Sequence, residues 1–195
     1  MNNFEELNKY ISTRRSIRNF RDQEIPDEVF LKIIESASMA TNGCKAEPWF
    51  FYVVKDKAKI KSMQDAIVAT HPKTDFVKKM KTFFNAPYII SVCIDMDTRW
   101  YHSAVNPELG REVEALDNPD YFSVAAAIEN LLLAAHACGI GTCWLSATAA
   151  YRSKLEKILG IKHPHRIAAN IAIGHYDEIP PTPRRKPIED IYKFI

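Results

Sequence analysis

The sequence predicts an α+β fold in a single domain over residues 1–195, and three observations support this. Short β-branched and aromatic runs alternate with longer segments that have helical periodicity. One of the longer segments is apolar nearly all round, as a helix at the centre of a fold would be. The 195 residues contain neither an internal repeat nor a linker, and they suffice for one domain with a sizeable core.

The N-terminal part contains two predicted helices. Apolar residues at helical spacing indicate a helix over residues 3–13, with Asn3 as its N-cap. Pro26 and the acidic residues after it begin a second helix. The predicted buried stripe of that helix consists of Val29, Ile33, Ile34 and Ala37.

The middle of the chain alternates strands and helices. Asn42-Gly43 favours a turn within "ATNGCKAEPW" (40–49). "WFFYVV" (49–54) and "YIISVCID" (88–95) are predicted strands, and the lysine-rich residues 56–84 between them are expected to be helical with a solvated face. Residues 96–122 are expected to be irregular.

The C-terminal part contains the most apolar segment of the chain. Ser123 is the expected cap of a buried helix over residues 124–138, and Gly139 is its C′ residue. The chain then continues with "GTCWLSA" (141–147), a short polar helix near 151–159 and a third clear strand, "RIAANIAIGH" (166–175). The tail is proline-rich and extended at first, and its apolar end requires a packing partner.

Composition is that of an ordinary soluble protein, with 47% hydrophobic and 26% charged residues and a net charge of +2. No stretch reaches the roughly 18 apolar residues of a membrane span, and the N-terminus lacks the apolar run of a signal peptide. The four cysteines form no C-x-x-C pair, and Cys93 and Cys138 lie in apolar stretches. Buried free thiols in a reducing compartment are therefore expected, in a cytoplasmic protein that does not bind membranes.

The stretch "ISTRRSIRNF" (11–20) concentrates positive charge and allows three interpretations. It is a solvated surface, a nucleic-acid contact, or a site for a small phosphate ligand. A nucleic-acid contact requires a broader basic face than the charge balance indicates, so no nucleic-acid partner is expected. Guanidinium groups make bidentate phosphate contacts, and Ile17 and Phe20 would tie the segment to the core. The alternation of apolar and charged residues favours the phosphate site.

Other polar and aromatic residues are better explained by structure than by chemistry. His163 and His165 lack a spaced acidic or cysteine partner, so no metal site is expected. His136 is interpreted as a satisfied core residue. Four aromatic residues in the 96–122 segment are either packing residues or a lid over a ligand: Trp100, Tyr101, Tyr121 and Phe122.

Five motifs together resemble the nitroreductase family of flavin-dependent oxidoreductases. They are "RRSIRNF", "ATNGCKAEPWFFYVV", "NLLLAAHACGIGTCWLS", "AIGH" and "PRRKPIEDI", in that order from about residue 10 to the tail. The resemblance implies a mostly antiparallel sheet flanked by helices, in an intertwined homodimer with two FMN molecules at its interface. A C-terminal arm of about residues 180–195 would then extend onto the partner.

The resemblance also implies cofactor-binding residues. Arg14, Ser16 and Arg18 are similar to the residues that hold the FMN phosphate and ribityl chain, with Arg15 inside the same motif and Arg185 closing on the phosphate from the tail. The flavin ring would be contacted by Thr41, Asn42, Gly43 and Lys45 from the partner and by Leu145, Ser146 and Ala147, where a backbone N–H would face flavin N5 or O4.

The loop departs from the family pattern P-S-x-x-N-x-Q-P-W at four positions. Thr41 and Asn42 replace Pro and Ser, while Lys45 and Glu47 replace Asn and Gln. Lys45 would either reach a flavin carbonyl or pair with Glu47, and these alternatives affect the redox potential and substrate range.

The function implied is ping-pong hydride transfer. NAD(P)H would reduce the flavin at N5, and an electron-poor acceptor such as a nitroaromatic, quinone or activated alkene would then be reduced. No acid–base catalytic residue is required from the protein. A specialised dehalogenase or flavin-degrading member of the family and, less favoured, a non-enzymatic phosphate- or nucleic-acid-binding module are the alternatives.

Overall fold

A computed structural model describes residues 2–70, 85–98, 119–146 and 149–195. The helices and strands follow in the order α1 Asn3–Thr13, α2 Asp27–Ser38, β1 Trp49–Val54, α3 Lys57–Thr70, β2 Tyr88–Asp95, α4 Pro119–Ala137, β3 Gly141–Ser146, α5 Ala149–Leu159 and β4 His165–Gly174. Single 3₁₀ turns cover Gly43–Lys45 and Ile188–Asp190. Several expectations fall on residues outside the described ranges: the end of the helix over 56–84, most of the irregular segment with Trp100 and Tyr101, and Ala147.

The four strands form one antiparallel sheet in the order β1-β2-β4-β3. Helices α2 and α4 cover one face with apolar side chains, and α3 and α5 cover the other. Strands β2 and β4 are in the middle and almost wholly buried, as expected for apolar runs covered on both faces. The predicted α+β class with a mostly antiparallel sheet is confirmed.

One polar pair lies in the middle of this apolar sheet. Ser91 of β2 and Asn170 of β4 are opposite each other in the register, and both are buried. The Ser91 hydroxyl donates to Asn170 Oδ1 at 2.7 Å. The hydrogen bond satisfies two polar groups that would otherwise be costly to bury.

Helix α4 is the predicted central helix, but it begins earlier than expected. It starts at Pro119, so Ser123 is not the cap, and its hydroxyl donates to the Pro119 carbonyl inside the first turns. Proline at the first position is compatible with a helix because the first N–H has no intrahelical partner. Gly139 follows the helix with φ 72°, which confirms it as the residue that ends the helix. Within the described ranges, no helix has both the length and the apolar character needed to cross a membrane.

Two details of the first helices correct the sequence analysis. The N-cap of α1 is Asn2 rather than Asn3, because Asn2 Oδ1 accepts from the Glu5 N–H and the Glu5 carboxylate accepts from the Asn2 N–H. In α2 the buried residues are Phe30, Ile33 and Ala37, while Val29 and Ile34 are half-buried. Phe30 is buried because its ring packs edge-on against Tyr88 of β2, 5.1 Å between centroids.

The cysteines are all free, two of them buried and two exposed. Cys93 and Cys143 are buried, whereas Cys138 is exposed, which corrects the expectation for that residue. Cys138 follows the last residue of α4, where the chain turns out to solvent before Gly139.

Candidate functional site

The arginine segment, residues 14–21, is fixed to the free edge of β3. Ser16 forms a parallel bridge with Thr142, and the Ile17 N–H donates to the Thr142 carbonyl at 2.8 Å. The side chains of Ile17 and Phe20 are buried in the core, as predicted. The segment therefore lies extended along the sheet, and its charged side chains start from a fixed backbone.

A glycine makes this close approach possible. A Cβ atom on Gly141, the first residue of β3, would lie 2.6 Å from Cδ1 of Tyr176 and 2.9 Å from Cγ1 of Ile17. These distances are far below the roughly 3.5–4.0 Å of ordinary carbon contacts. Only glycine fits where the arginine segment, β3 and the residues after β4 meet.

The contacts of the arginines differ from one residue to the next. Arg14, Ser16 and Arg18 occupy alternate positions in the sequence, which in an extended segment favours a shared side. The Arg14 side chain is only 19% exposed, and its Nε lies 3.8 Å from Glu129 of α4. Arg18 is exposed, and its Nη1 donates to the Ser16 carbonyl at 3.3 Å.

The guanidinium groups of Arg14 and Arg18 both influence the pKa of the Cys143 thiol on β3. Burial raises the pKa of the Cys143 thiol, and the positive charges of Arg18 and Arg14 partly oppose the increase. The region around the start of β3 is therefore electropositive. A phosphate group would be stabilised by the same field.

Arg15 makes different contacts from its neighbours. Its Nη1 donates to the carbonyls of Ser12 and Arg14, at 2.7 and 2.8 Å, and its Nη2 donates to Thr182 Oγ1 at 2.7 Å. The acceptors thus belong to the end of α1 and to the tail.

His136 of α4 lies beside the arginines. The Thr13 hydroxyl donates its one hydrogen to the Lys9 carbonyl at 2.6 Å, so His136 Nε2–H is the donor in the 2.8 Å contact with Thr13. Burial, followed by the charges of Arg14 and Arg15, lowers the pKa of His136. A neutral histidine is favoured here. Its Nε2 has a partner, but His136 is half-buried beside the arginines, which corrects the predicted core position.

The loop at residues 41–47 is held in an unusual conformation. Cys44, Lys45 and Glu47 have φ values of 53°, 55° and 45°, in the left-handed region that disfavours side chains with a Cβ. The Asn42 side chain stabilises the loop, because its Oδ1 accepts from the Glu47 N–H at 3.1 Å. Strain retained in an exposed loop is typical of a binding segment.

The two interpretations of Lys45 differ in their fit to this loop. Lys45 is exposed, and among the described residues no ion pair joins it to Glu47. The pairing alternative is therefore not realised, which leaves the Lys45 ammonium group available to a ligand.

The structure brings some of the predicted site residues together within one chain. Leu145 and Ser146 lie on β3, opposite Asn170 and Ala169 of β4. The arginine segment is bridged to the same strand at Thr142. Ala147 lies outside the described residues. Thr41, Asn42, Gly43 and Lys45 are in the separate loop between α2 and β1.

Arg185 is exposed, and no hydrogen bond or ion pair joins it to another residue of the described ranges. It follows Thr182 by three residues, which span at most about 11 Å. Since Thr182 is bound to Arg15, the backbone of Arg185 is near the arginine segment.

Three neighbours of the arginines, Gly141, Thr142 and Thr182, were not among the predicted residues. The sequence carries a signal only for Gly141, as a glycine at the start of an apolar strand. In the described part of the chain, no group of three or more histidine, cysteine, aspartate or glutamate side chains is arranged to hold a metal ion.

Comparison with known proteins decides the family. The model of the "Nitroreductase family" matches residues 11–175. "Putative NAD(P)H nitroreductase YfhC" of Bacillus subtilis is 30% identical over 191 residues, which cover 94% of this chain and 91% of that protein. The chain belongs to the nitroreductase family.

Other known proteins are similar over nearly the whole chain. "Iodotyrosine deiodinase" of Hydra vulgaris is 26% identical, with 93% of this chain and 70% of that protein covered. A BluB-like flavoprotein from Clostridium difficile superposes with a TM-score of 0.81 at 25% identity, over 97% of this chain and 98% of that chain. A nitroreductase with bound FMN from Desulfitobacterium hafniense gives 0.75 at 22% identity, over 100% and 99%.

The matched region includes the arginine segment, the loop at 41–47 and strand β3. It ends at residue 175, before the arm that carries Arg185. The nitroreductase-family assignment therefore bears on the sheet edge more strongly than on the arm.

Proposed function

We propose that this protein is an FMN-dependent oxidoreductase that uses NAD(P)H to reduce an electron-poor acceptor, such as a nitroaromatic, a quinone or an activated alkene. The observation that carries the proposal is the rigid arginine segment, in which the mostly buried Arg14 stands beside Ser16 at the edge of β3. YfhC by its name, and the FMN-bound structure from Desulfitobacterium hafniense, support it.

The residues present fit the phosphate end of FMN. Arg14 and Arg18 supply planar guanidinium donors, and Ser16 between them supplies a hydroxyl. The ion pair of Arg14 with Glu129 is long, 3.8 Å, and Glu129 is half-exposed, so the guanidinium retains donors for an anion. Arg185 is proposed to complete this phosphate site from the arm.

The ring end of FMN is proposed to lie along β3 and beneath the strained loop of a partner. β3 is an edge strand, and in the described residues nothing pairs with its outer side beyond Thr142. The outer backbone groups near Leu145, Ser146 and Ala147 are therefore proposed to contact the ring. Thr41, Asn42, Gly43 and Lys45 would cover it from the other chain.

When bound, FMN supplies the hydride chemistry between NAD(P)H and the acceptor. The protein contributes the rest through position and charge. The arginines fix the phosphate end and thereby the ring, while the β3 backbone and the Lys45 ammonium group would stabilise negative charge at the ring carbonyls.

A homodimer with an exchanged arm is part of the proposal. Helix α1 buries none of its residues, and Phe4, Leu7 and Ile11 are exposed at helical spacing. The end of the arm is also exposed and apolar, with Ile188, Ile191, Tyr192, Phe194 and Ile195. Exposed apolar surfaces of this extent favour association, and a second copy supplies both surfaces at once.

Flavin binding tests the function directly. The purified protein is expected to take up FMN, show a flavin absorption spectrum and be reduced by NADH or NADPH in stopped-flow experiments. Arg14→Gln is expected to weaken FMN binding by roughly 10- to 100-fold, because charged hydrogen bonds are lost. Riboflavin, which lacks the phosphate, should bind both proteins alike.

Arg21→Gln is the matched control for Arg14→Gln. Arg21 is exposed and pairs with Asp177 at 3.4 Å, away from the proposed phosphate, so its loss should leave the FMN dissociation constant unchanged. A colourless protein that takes up no FMN would overturn the proposed function.

Sedimentation analysis tests the dimer. Phe194→Ser is expected to weaken dimerisation, since Phe194 is 89% exposed in the single chain, whereas Lys193→Ser should not. A wild-type protein that sediments as a monomer at all concentrations would exclude the exchanged arm.

The specialised alternative is a dehalogenase, and the similarity to the Hydra protein named iodotyrosine deiodinase favours including it. The acceptor panel after flavin reduction should therefore contain a halogenated tyrosine beside a nitroaromatic and a quinone. Release of halide at a rate above that of nitro or quinone reduction would assign the chain to this alternative.

A further inference from the structure

The arginine segment and the start of the tail run side by side in opposite directions. Near one end, the Arg21 N–H donates to the His175 carbonyl at 2.8 Å, and the Arg21 side chain pairs with Asp177. At the other end, Arg15 Nη2 donates to Thr182 Oγ1. Residues 175–182 are thus held along residues 15–21 by a contact at each end.

The contact between Arg15 and Thr182 is the better defined of the two. The Arg15 side chain lies against a small hollow that Arg14, His136, Tyr176 and Ile179 also line. Both hydrogens of its Nη1 are donated to backbone carbonyls, so the guanidinium orientation is fixed before Thr182 is considered. The contact at Arg21 is more solvated, with half of its side chain exposed, and such ion pairs contribute little.

The residues around Thr182 form a semi-rigid, proline-rich segment. Thr182 lies between prolines in "PPTPRRKP" (180–187), where proline rings fix φ and restrict the residues that precede them. Such a segment behaves as a semi-rigid rod of about 3.1 Å per residue. Fixing Thr182 therefore fixes where the chain leaves the molecule and where the next arginines begin.

We propose that Arg15 is not a phosphate ligand but a positioning residue, which holds Thr182 and thereby places Arg185 at the FMN phosphate. The inference rests on the proposed function and assigns different roles to adjacent arginines. Arg14 and Arg18 face the phosphate, while Arg15 fastens the root of the arm to the same segment. Binding of the phosphate and the path of the arm are coupled through this one hydrogen bond.

A double-mutant cycle separates the two roles of Arg15. Thr182→Val keeps the shape of the side chain and removes the acceptor, and Arg15→Met keeps much of the length and removes the donors. Each is expected to weaken FMN binding about 5- to 10-fold, and the double variant no further, because both remove the same contact. Thr182→Ser, which keeps the hydroxyl, should bind FMN as the wild type does.

Two further measurements accompany the cycle. Riboflavin binding should be unchanged in every variant, because only a phosphate contact is affected. Trypsin should cleave the arm at Arg184 and Arg185 several-fold faster in Thr182→Val and in Arg15→Met, because the rod is released. Arg21→Met is the control for the loss of an arginine from the same segment. It keeps the backbone hydrogen bond to His175 and loses only the solvated ion pair with Asp177, so FMN binding should be unchanged and cleavage far less affected than in Arg15→Met.

The outcomes discriminate clearly. If Arg15→Met weakens FMN binding while Thr182→Val does not, Arg15 is a phosphate ligand and the inference is overturned. If trypsin cleavage accelerates but FMN affinity is unchanged, the contact holds the arm without serving the phosphate, which also overturns it. Failure of the wild-type protein to bind FMN would instead reject the proposed function, and the cleavage rates would still report whether Arg15 holds the arm.

Discussion

Replacing Gly141 by alanine should damage both stability and cofactor binding. The added Cβ would lie 2.6 Å from Tyr176 Cδ1 and within 2.9–3.0 Å of two atoms of Ile17. The β3 backbone cannot retreat easily, because Gly141 is paired with Gly174 of β4. Tyr176 and Ile17 must therefore move, and overpacking of this kind costs roughly 1–3 kcal/mol.

The expected consequence can be measured in two ways. For a chain of this size, that cost lowers the melting temperature by roughly 2–12 °C. FMN affinity should also fall, because a displacement of Ile17 also shifts the adjoining backbone of Ser16 and Arg18. Gly174→Ala is the matched control: its Cβ would meet Pro87 at 2.7 Å and Phe20 at 3.1 Å, so it should destabilise with a smaller effect on FMN binding.

A melting temperature and an FMN dissociation constant of Gly141→Ala that both equal the wild-type values would contradict this prediction. A larger loss of FMN affinity in Gly174→Ala than in Gly141→Ala would also contradict the prediction, because FMN binding would then depend more on the contacts of Gly174 with Pro87 and Phe20 than on those of Gly141 with Ile17.

Three further predictions concern stability. The pKa of His136 is lowered in the folded protein, so below the ordinary histidine pKa of about 6.5 the unfolded chain binds more protons than the folded one. The free energy of unfolding should therefore fall as the pH drops below that value. His136→Gln should flatten this pH dependence in urea titrations. Cys44→Gly should raise the free energy of unfolding by up to about 1 kcal/mol, because glycine relieves the left-handed φ of 53° at an exposed position, and a loss of stability would contradict this. Leu131→Ala, at a fully buried site of α4, should cost about 2–5 kcal/mol, while Phe122→Ala, exposed on the same helix, should change stability by about 0.5 kcal/mol or less in denaturant unfolding.

The parts of the fold predicted correctly are those with strong local signals. The strands at 49–54 and 88–95 have the predicted bounds because β-branched and aromatic runs leave little alternative. β3 carried no such signal, since "GTCWLS" includes a glycine and two polar residues. Its strand conformation comes from pairing with β4, a distant part of the chain in which Gly174 pairs with Gly141 and Ala169 with Ser146, and no local pattern reports that pairing.

The candidate site shows the same limit at the level of single residues. Arg14 and Arg15 are neighbours with identical side chains, and the motif gave a role at the phosphate to Arg14 but none to Arg15. Their contacts in the fold distinguish them: Arg15 binds Thr182, far along the chain, whereas Arg14 lies beside Glu129 of α4. The start of α4 was misplaced for a related reason, since Pro119 and Ser123 are both acceptable near a helix start.

The hydrogen bond between Ser91 and Asn170 favours one register of β2 against β4 when the sheet forms. In the correct register the two side chains satisfy each other, but a slip of one residue between β2 and β4 would turn them to opposite faces. Each would then be buried among aliphatic side chains at a cost of about 1–3 kcal/mol. Strands rich in isoleucine and alanine could otherwise pair in several registers with similar energy, so this polar pair selects one.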